Sequence, residues 1–347
     1  QNCNYMFGSN LQIKNLKTIF LIFFLATIVL PGMLNAQQKE VVAEKGDGIY
    51  RLLTRHGLSI SEHTNAFIEL NKNLLGKDNT LVSGVKYKLP GAVKNTQAKS
   101  NIKTTSFEIF GKKYADVEIT GNDLNGAIYY LMAGHGGPDP GAVGKYNNKQ
   151  LCEDEYAYDV TLRLARKLIQ NGATVYMITR DGNDGIRDDS YLPADTDEVC
   201  YPKLTIPLNH IRRLRQRTEA VNKLYKKHKG SFQRMIAIHV DSRSRGENID
   251  VFFYHDKRSD TGKRSAKILQ KTFQDKYNEH QPGRGYHGTV STRNLYVVKN
   301  TWPVAVYIEL GNINHQRDIQ RFIITDNRQA VANWLAQGLK IDFKTNK

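Results

Sequence analysis

The sequence predicts an α/β chain: a mostly parallel sheet flanked by helices, preceded by a small βααβ module. Three observations predict it. Ala127–Met132 is an unbroken apolar run, as expected of a strand buried on both faces. From there, strand-like and helix-like segments alternate to the C-terminus, the pattern of a parallel sheet covered on both sides. Residues 41–90 instead read as two short strands around two helices, and a polar stretch rich in Lys, Asn, Thr and Ser separates them from the rest. With 347 residues, 40% hydrophobic and 24% charged, the composition excludes a collagen-like, coiled-coil or wholly disordered chain. We find no internal repeat.

The N-terminus reads as an export signal over residues 1–36. Lys14 and Lys17 precede the apolar run Ile19–Leu30, and Pro31, Gly32 and the small-residue end Leu34-Asn35-Ala36 follow it. Twelve apolar or small residues are short for a permanent span, which needs about 20, so no stable membrane insertion is expected after cleavage. Met6 is read as nearer the start of translation. Removing residues 1–36 takes away two lysines and no acid, so the net charge falls from +16 to +14. The expected location is the periplasm, the cell envelope or the medium. An exported protein does not meet the genome, so the basic charge is read as affinity for an acidic envelope polymer rather than nucleic acid. Cys152 and Cys200 are the cysteines that remain, and an oxidising compartment would allow them to pair.

Within the module, taken as residues 40–90, Val41-Val42-Ala43 is a short strand and Gly46-Asp47 a turn before the first helix. Ile49, Leu52 and Leu53 share one face of that helix, and Gly57 closes it. Ser59 and Glu62 form a capping box for the second helix, with Phe67, Ile68 and Leu70 as its apolar side. Val85–Leu89 alternates as the second strand, stopped by Pro90. Lys45-Gly46-Asp47, Leu70-Asn71 and Tyr87-Lys88-Leu89-Pro90 resemble a LysM module. That resemblance implies binding of N-acetylglucosamine-containing glycan, with Asp47 and Asn71 as candidate contacts. Gly48 and the turn Ser83-Gly84-Val85-Lys86 depart from the family pattern. Residues 91–106 are the linker and 107–347 the larger domain.

In the larger domain, a helix follows Glu153, with Val160, Leu164 and Leu168 on one side. Ala173–Thr179 is the next strand, and Leu208–His228 a basic amphipathic helix. Strands are expected at Met235–Ile238, Ile249–Tyr254, Leu295–Val298 and Val304–Leu310. Helices are expected at 261–279 and around Val331, Trp334, Leu335 and Leu339.

Three polar residues stand at strand ends: His135 after Leu131–Gly134, His239 after Met235–Ile238, and Glu309 after Val304–Ile308. Parallel strands would gather them at one rim, where open α/β sheets bind ligands. Glu153, at the head of the first large helix, is a fourth candidate. Two imidazoles and one carboxylate suit Zn²⁺ with an open position for water, and the remaining acid can take the water's proton. Residue types alone do not say which acid does which.

The surrounding motifs bear on that choice. Gly134-His135-Gly136-Gly137-Pro138-Asp139-Pro140-Gly141-Ala142, the helix opening at Glu153, Ile236-Ala237-Ile238-His239, and Tyr307-Ile308-Glu309-Leu310-Gly311-Asn312 follow one another in order. They resemble the zinc-dependent N-acetylmuramoyl-L-alanine amidases, the Amidase_3 family, over residues 127–340. The resemblance implies that His135, Glu153 and His239 bind zinc and that Glu309 is the catalytic general base and acid. It implies hydrolysis of the amide joining N-acetylmuramic acid to L-alanine of the peptidoglycan stem peptide. A non-catalytic wall-binding protein and a zinc endopeptidase acting within the stem peptide are the alternatives. Arg217 and Asn300 fall in matching segments and are candidate substrate contacts, with Arg217 read first as orienting its helix or pairing with an acid. Val240-Asp241 departs from the family pattern. Regulated relatives carry a long helical insert after the second histidine; Asp241–Arg293 is too short for one, so no activator protein is expected. Residues 182–206 are longer than the family's connection and are read as a surface loop, which a Cys152–Cys200 disulfide would draw towards Glu153. The other histidines, His56, His63, His210, His228, His255, His280, His287 and His315, are read as surface or loop residues.

Overall fold

The computed structural model describes residues 39–44, 47–58, 60–76, 79–91, 103–243 and 246–346. The export signal, Ser59 of the capping box and most of the linker lie outside the described residues. The chain divides into two compact units at residues 93/94.

The smaller unit has the expected βααβ order. Strand β1 (Glu40–Val42) pairs antiparallel with β2 (Lys86–Lys88), and helices α1 (Ile49–Arg55) and α2 (Ile60–Asn71) lie between them in sequence. Leu52 and Leu53 are fully buried with Phe67 and Tyr87. Gly57 sits at φ +72°, and the amide of Leu58 reaches the carbonyl of Leu53, closing α1 as the glycine predicts. The apolar side of α2 is not the expected one. His63, Phe67 and Asn71, spaced by four, form the buried stripe, and Leu70 is exposed. Polar residues enter this stripe because Asn71 has backbone partners there.

The larger unit opens with strands β3 (Thr104–Ser106) and β4 (Asp116–Glu118), an antiparallel pair. Then follow β5 (Ala127–Ala133), the hairpin β6 (Val143–Tyr146) and β7 (Lys149–Cys152), α3 (Glu153–Gln170), β8 (Thr174–Met177) and β9 (Thr179–Arg180). Next come β10 (Val199–Cys200), β11 (Leu204–Thr205), α4 (His210–Lys227), β12 (Phe232–Asp241), β13 (Phe252–His255) and α5 (Asp260–His280). The chain ends with β14 (Val290–Thr292), α6 (Tyr296–Asn300), β15 (Val304–Asn312), α7 (Gln316–Ile323) and α8 (Thr325–Asn346). The main sheet has the order β14-β13-β15-β12-β5-β8. Strands β15, β12, β5 and β8 run parallel, and β13 runs antiparallel to β15.

Period-two alternation divides the core. Tyr129, Leu131, Ile236, Ile238, Val306 and Ile308 face a cluster shared with α3, α5 and α8. Ile128, Tyr130, Met132, Met235, Ala237, Ala305 and Tyr307 face the other side, with residues of α4 and α6. By the same parity His239 and Glu309 belong to the second face.

Leu295–Val298, expected as a strand, is instead the start of α6. Val297 and Val298 both enter the second cluster, which successive residues of a strand cannot do. The segment 182–206 is not a loose surface loop: it contributes β10 and β11 to a three-stranded antiparallel sheet with β9. It is stitched to the head of α3. Tyr156 Oη donates to the Ser190 carbonyl, the Asp195 amide donates to Glu155 Oε1 at 3.0 Å, and Arg187 pairs with Glu155 at 2.8 Å.

Candidate metal centre

Each candidate ligand is placed by a different element. His135 follows β5 in left-handed backbone, φ 55°, and Gly136 and Gly137 continue that turn. Glu153 is the first residue of α3, and His239 lies on β12. Donor atoms of the three lie within 4.8 Å of one another. The rings of His135 and His239 stand edge to face at 5.1 Å. Glu153 reaches both: Oε1 is 2.8 Å from His239 Nδ1, and Oε2 is 3.3 Å from His135 Nε2. The same carboxylate accepts from the amides of Val240 and Ala142, which fix its orientation.

The glycines of the first motif have a steric cause. A Cβ at Gly134 would strike the His239 ring, and one at Gly141 would lie 2.6 Å from Glu153 Oε2. The backbone is pressed against the ligands, so no side chain fits at either position.

Buried Glu309 faces its neighbour on the adjacent strand: in the parallel ladder of β12 and β15 it is the register partner of His239. Tyr307, two residues before it, stacks on the His239 ring at 4.3 Å. Glu309 Oε2 is buried with no hydrogen-bond partner, and Arg293 Nη1 lies 3.8 Å from Oε1. Burial, reinforced by the charges of Glu153 and Asp241, pushes the Glu309 carboxyl well above the usual glutamate range. Burial also lowers the His239 imidazole, against the pull of Glu153, and so favours the neutral ring a metal requires. Two imidazoles and one carboxylate converging with unfilled coordination capacity fit a divalent ion that prefers mixed nitrogen and oxygen donors.

A supporting layer stands behind the ligands. Asp139 accepts from His135 Nδ1 at 2.9 Å and pairs with Arg213. The bond from His135, with help from the Gly141 amide and Arg213, holds the Asp139 carboxyl well below its usual range despite burial. This fixes which ring nitrogen of His135 is free for a metal. Arg217 is buried and donates to the carbonyl of His135, so it holds the loop's backbone. Asp139, Arg213 and Tyr307 are absent from the sequence-predicted set. Asp139 and Arg213 had a signal: an acid four residues from His135, and an arginine one turn before Arg217.

Other expected residues are placed elsewhere. Asn300 donates to the Tyr296 carbonyl, and its own carbonyl accepts from Asn222. In the smaller unit, Asp47 accepts from the Glu44 amide and pairs with Arg55. Asn71 exchanges two bonds with the backbone of Lys88. The hydrogen bonds of Asp47 and Asn71 thus serve the module's own fold. Cys152 and Cys200 are free, not joined: Cys152 Sγ accepts from the Gln150 side chain, while Cys200 packs in the second core cluster. His63 and His255 are buried, against the surface reading; His255 ends β13 with Nδ1 2.9 Å from the Asp256 carbonyl.

The probable cell wall amidase LytH of Staphylococcus aureus is 28% identical over 229 residues, covering 64% of this chain and 60% of that protein. The chain thus spans about three-fifths of the length of the curated relatives it matches. Among solved structures, the catalytic domain of the amidase CwlV from Bacillus (Paenibacillus) polymyxa is 21% identical with a TM-score of 0.45, covering 63% of this chain and 98% of its own. The CwlD amidase of Clostridioides difficile, solved in complex with the GerS lipoprotein, is 16% identical with a TM-score of 0.46, covering 63% and 99%. The N-acetylmuramoyl-L-alanine amidase family matches residues 130–341, more than half of the sequence and all of the main sheet except the start of β5, and the chain belongs to that family.

Proposed function

We propose that this chain is a zinc-dependent hydrolase of peptidoglycan, cleaving the amide between N-acetylmuramic acid and L-alanine of the stem peptide. The observation that carries the reading is the pairing of Glu309 with His239 across β12 and β15, beside a convergent His135–Glu153–His239 donor set. His135, Glu153 and His239 would hold the zinc; bound there, it supplies a Lewis acid for the amide carbonyl and makes water more acidic. Glu309 supplies the proton traffic. Its unpartnered Oε2 accepts a proton from the attacking water and returns it to the departing alanine nitrogen. A carboxyl whose proton affinity is raised by burial suits both transfers.

A cleft of about 470 Å³ adjoins Arg293 and is lined also by Lys257, Arg258, Asn294 and Lys299, with Asp256 among them. Its basic lining suits the carboxylates of a stem peptide. Arg217 and Asn300 then act through the backbone they hold, the carbonyls of His135 and Tyr296, rather than by touching substrate.

No helix among the described residues is long and apolar enough to cross a membrane. The setting we assign is outside the cytoplasm, after export on residues 1–36. The smaller unit would hold glycan strands in the manner of a LysM module. Activity without an activator protein is part of the proposal, supported by the segment between Asp241 and Arg293, whose described residues build β13, α5 and β14, with α5 on the face opposite Glu309.

Digestion of purified peptidoglycan by the mature protein, with and without a chelator, tests this reading by mass spectrometry of the products. Free stem peptides beginning with L-alanine, lost on chelation, are expected. Cuts inside the stem peptide would make it an endopeptidase, and the absence of any chelator-sensitive product would leave a wall-binding protein.

A further inference from the structure

Beside the mixed nitrogen–oxygen cluster stands a second one, made only of carboxylates. Asp154 and Glu155 come from the first turn of α3, and Glu198 from the 182–206 segment just before β10. Each offers an oxygen, and the three lie within 4.8 Å of one another. All are buried, at 1%, 2% and 5% exposure. Three desolvated carboxylates this close repel strongly unless something positive joins them.

The protein's own groups do not complete the cluster. Asp154 Oδ1 accepts from the Glu155 amide, and Glu198 Oε2 accepts from the Gly137 amide at 2.6 Å. Arg187 pairs with Glu155 but is shared with Asp184. Asp154 Oδ2 is buried with no hydrogen-bond partner among the described residues. The positive end of α3 does not reach it by free amides either. The amides of Glu153 and Asp154 already donate to the carbonyls of Ala142 and Pro140, and that of Glu155 to Asp154 Oδ1.

We propose that Asp154, Glu155 and Glu198 form a calcium site that fastens the 182–206 segment to the head of α3 and beneath the His135 loop. A divalent ion offsets two of the three carboxylate charges, and the Arg187 guanidinium, shared with Asp184, offsets part of the third. The donor set is hard oxygen alone, which favours calcium over zinc. Calcium also tolerates an irregular, largely dehydrated cage, whereas magnesium keeps several waters in a strict octahedron. The site touches the metal centre by backbone: Glu198 holds Gly137, two residues after His135, and a Cβ at Gly136 would meet Glu198 at 3.4 Å. The assignment does not depend on the zinc reading.

The test uses the full mature protein, stripped of metal, reloaded with zinc and titrated with calcium. Elemental analysis after gel filtration should find one calcium per chain in addition to zinc. The melting temperature should rise by several degrees at about 100 times the Kd, and magnesium at the same concentration should give a smaller rise. Glu198→Gln keeps an oxygen acceptor for Gly137 and removes one like charge. It should melt no lower than the stripped parent, retain zinc and lose the calcium-dependent rise. Asp154→Asn should do the same. No calcium retained and no rise in the parent overturns the proposal. A rise that survives in Glu198→Gln places the ion elsewhere and overturns it too, and an equal response to magnesium overturns the choice of calcium. Zinc content, read in the same samples, separates failure of this site from failure of the metal centre.

Discussion

The first three residues of α3 divide between two clusters of opposite character. Glu153 turns to two imidazoles and sits in a cage of mixed donors, while Asp154 and Glu155 meet a third carboxylate. One cluster is built from strand ends and the glycine-rich loop, and its ligands are oriented by Asp139, Val240 and Ala142. The other depends on a segment, 182–206, that folds back onto the helix. Neighbouring carboxylates thus acquire different chemistry from their partners, not from their position on the helix.

Breaking the first cluster should have the largest effect. His239→Ala is expected to abolish hydrolysis and most zinc retention, measured by elemental analysis, while calcium binding at the second cluster persists. Loss of both ions together would mean that the two clusters form one unit. Next in size, Glu309→Gln should lower kcat by roughly 10²–10⁴-fold with zinc content unchanged, since it removes a proton carrier and no ligand. If zinc is lost instead, Glu309 belongs to the donor set. Asp139→Asn should weaken zinc by about 10–100-fold in a competition titration, because the His135 ring loses the negative charge of its orienting partner. The same variant should leave the calcium response intact. The smallest effect is expected for Asp197→Asn. Asp197 lies in a third acidic group with Asp181 and Asp195, but it is exposed and already accepts from Asn183. Its melting curve, zinc content and calcium response should all match the parent.

Much of the first cluster was legible in the sequence because apolar runs end on its members. Ala127–Ala133, Met235–Ile238 and Val304–Ile308 lie in strands buried on both faces, and the polar residue that follows each run is conspicuous. Local chemistry also revealed Gly57, since a helix end and a positive φ are decided within one turn. What depended on packing was hidden. Val297-Val298 suits a strand by residue type, yet both side chains enter one cluster only in a helix. The face of α2 was misread because Asn71 finds its partners 17 residues away, on Lys88. Glu198 carried no signal at all, for its place is set by how the 182–206 segment returns to α3. The same return brings the segment near Glu153 without the Cys152–Cys200 bond that was expected to do it.

The register of β12 and β15 has a consequence for the lifetime of the site. His239 and Glu309 stand side by side on the two middle strands of the main sheet, at the last paired position before the register of β12 and β15 shifts between His239 and Asp241. The amides deeper in that ladder, such as those of Ile236 and Val306, should therefore exchange with solvent water more slowly than those of the loop after His135. The half of the proposed site that stands on these strands is thus more persistent than the half on the loop. The other half can open and close around it many times before the sheet comes apart.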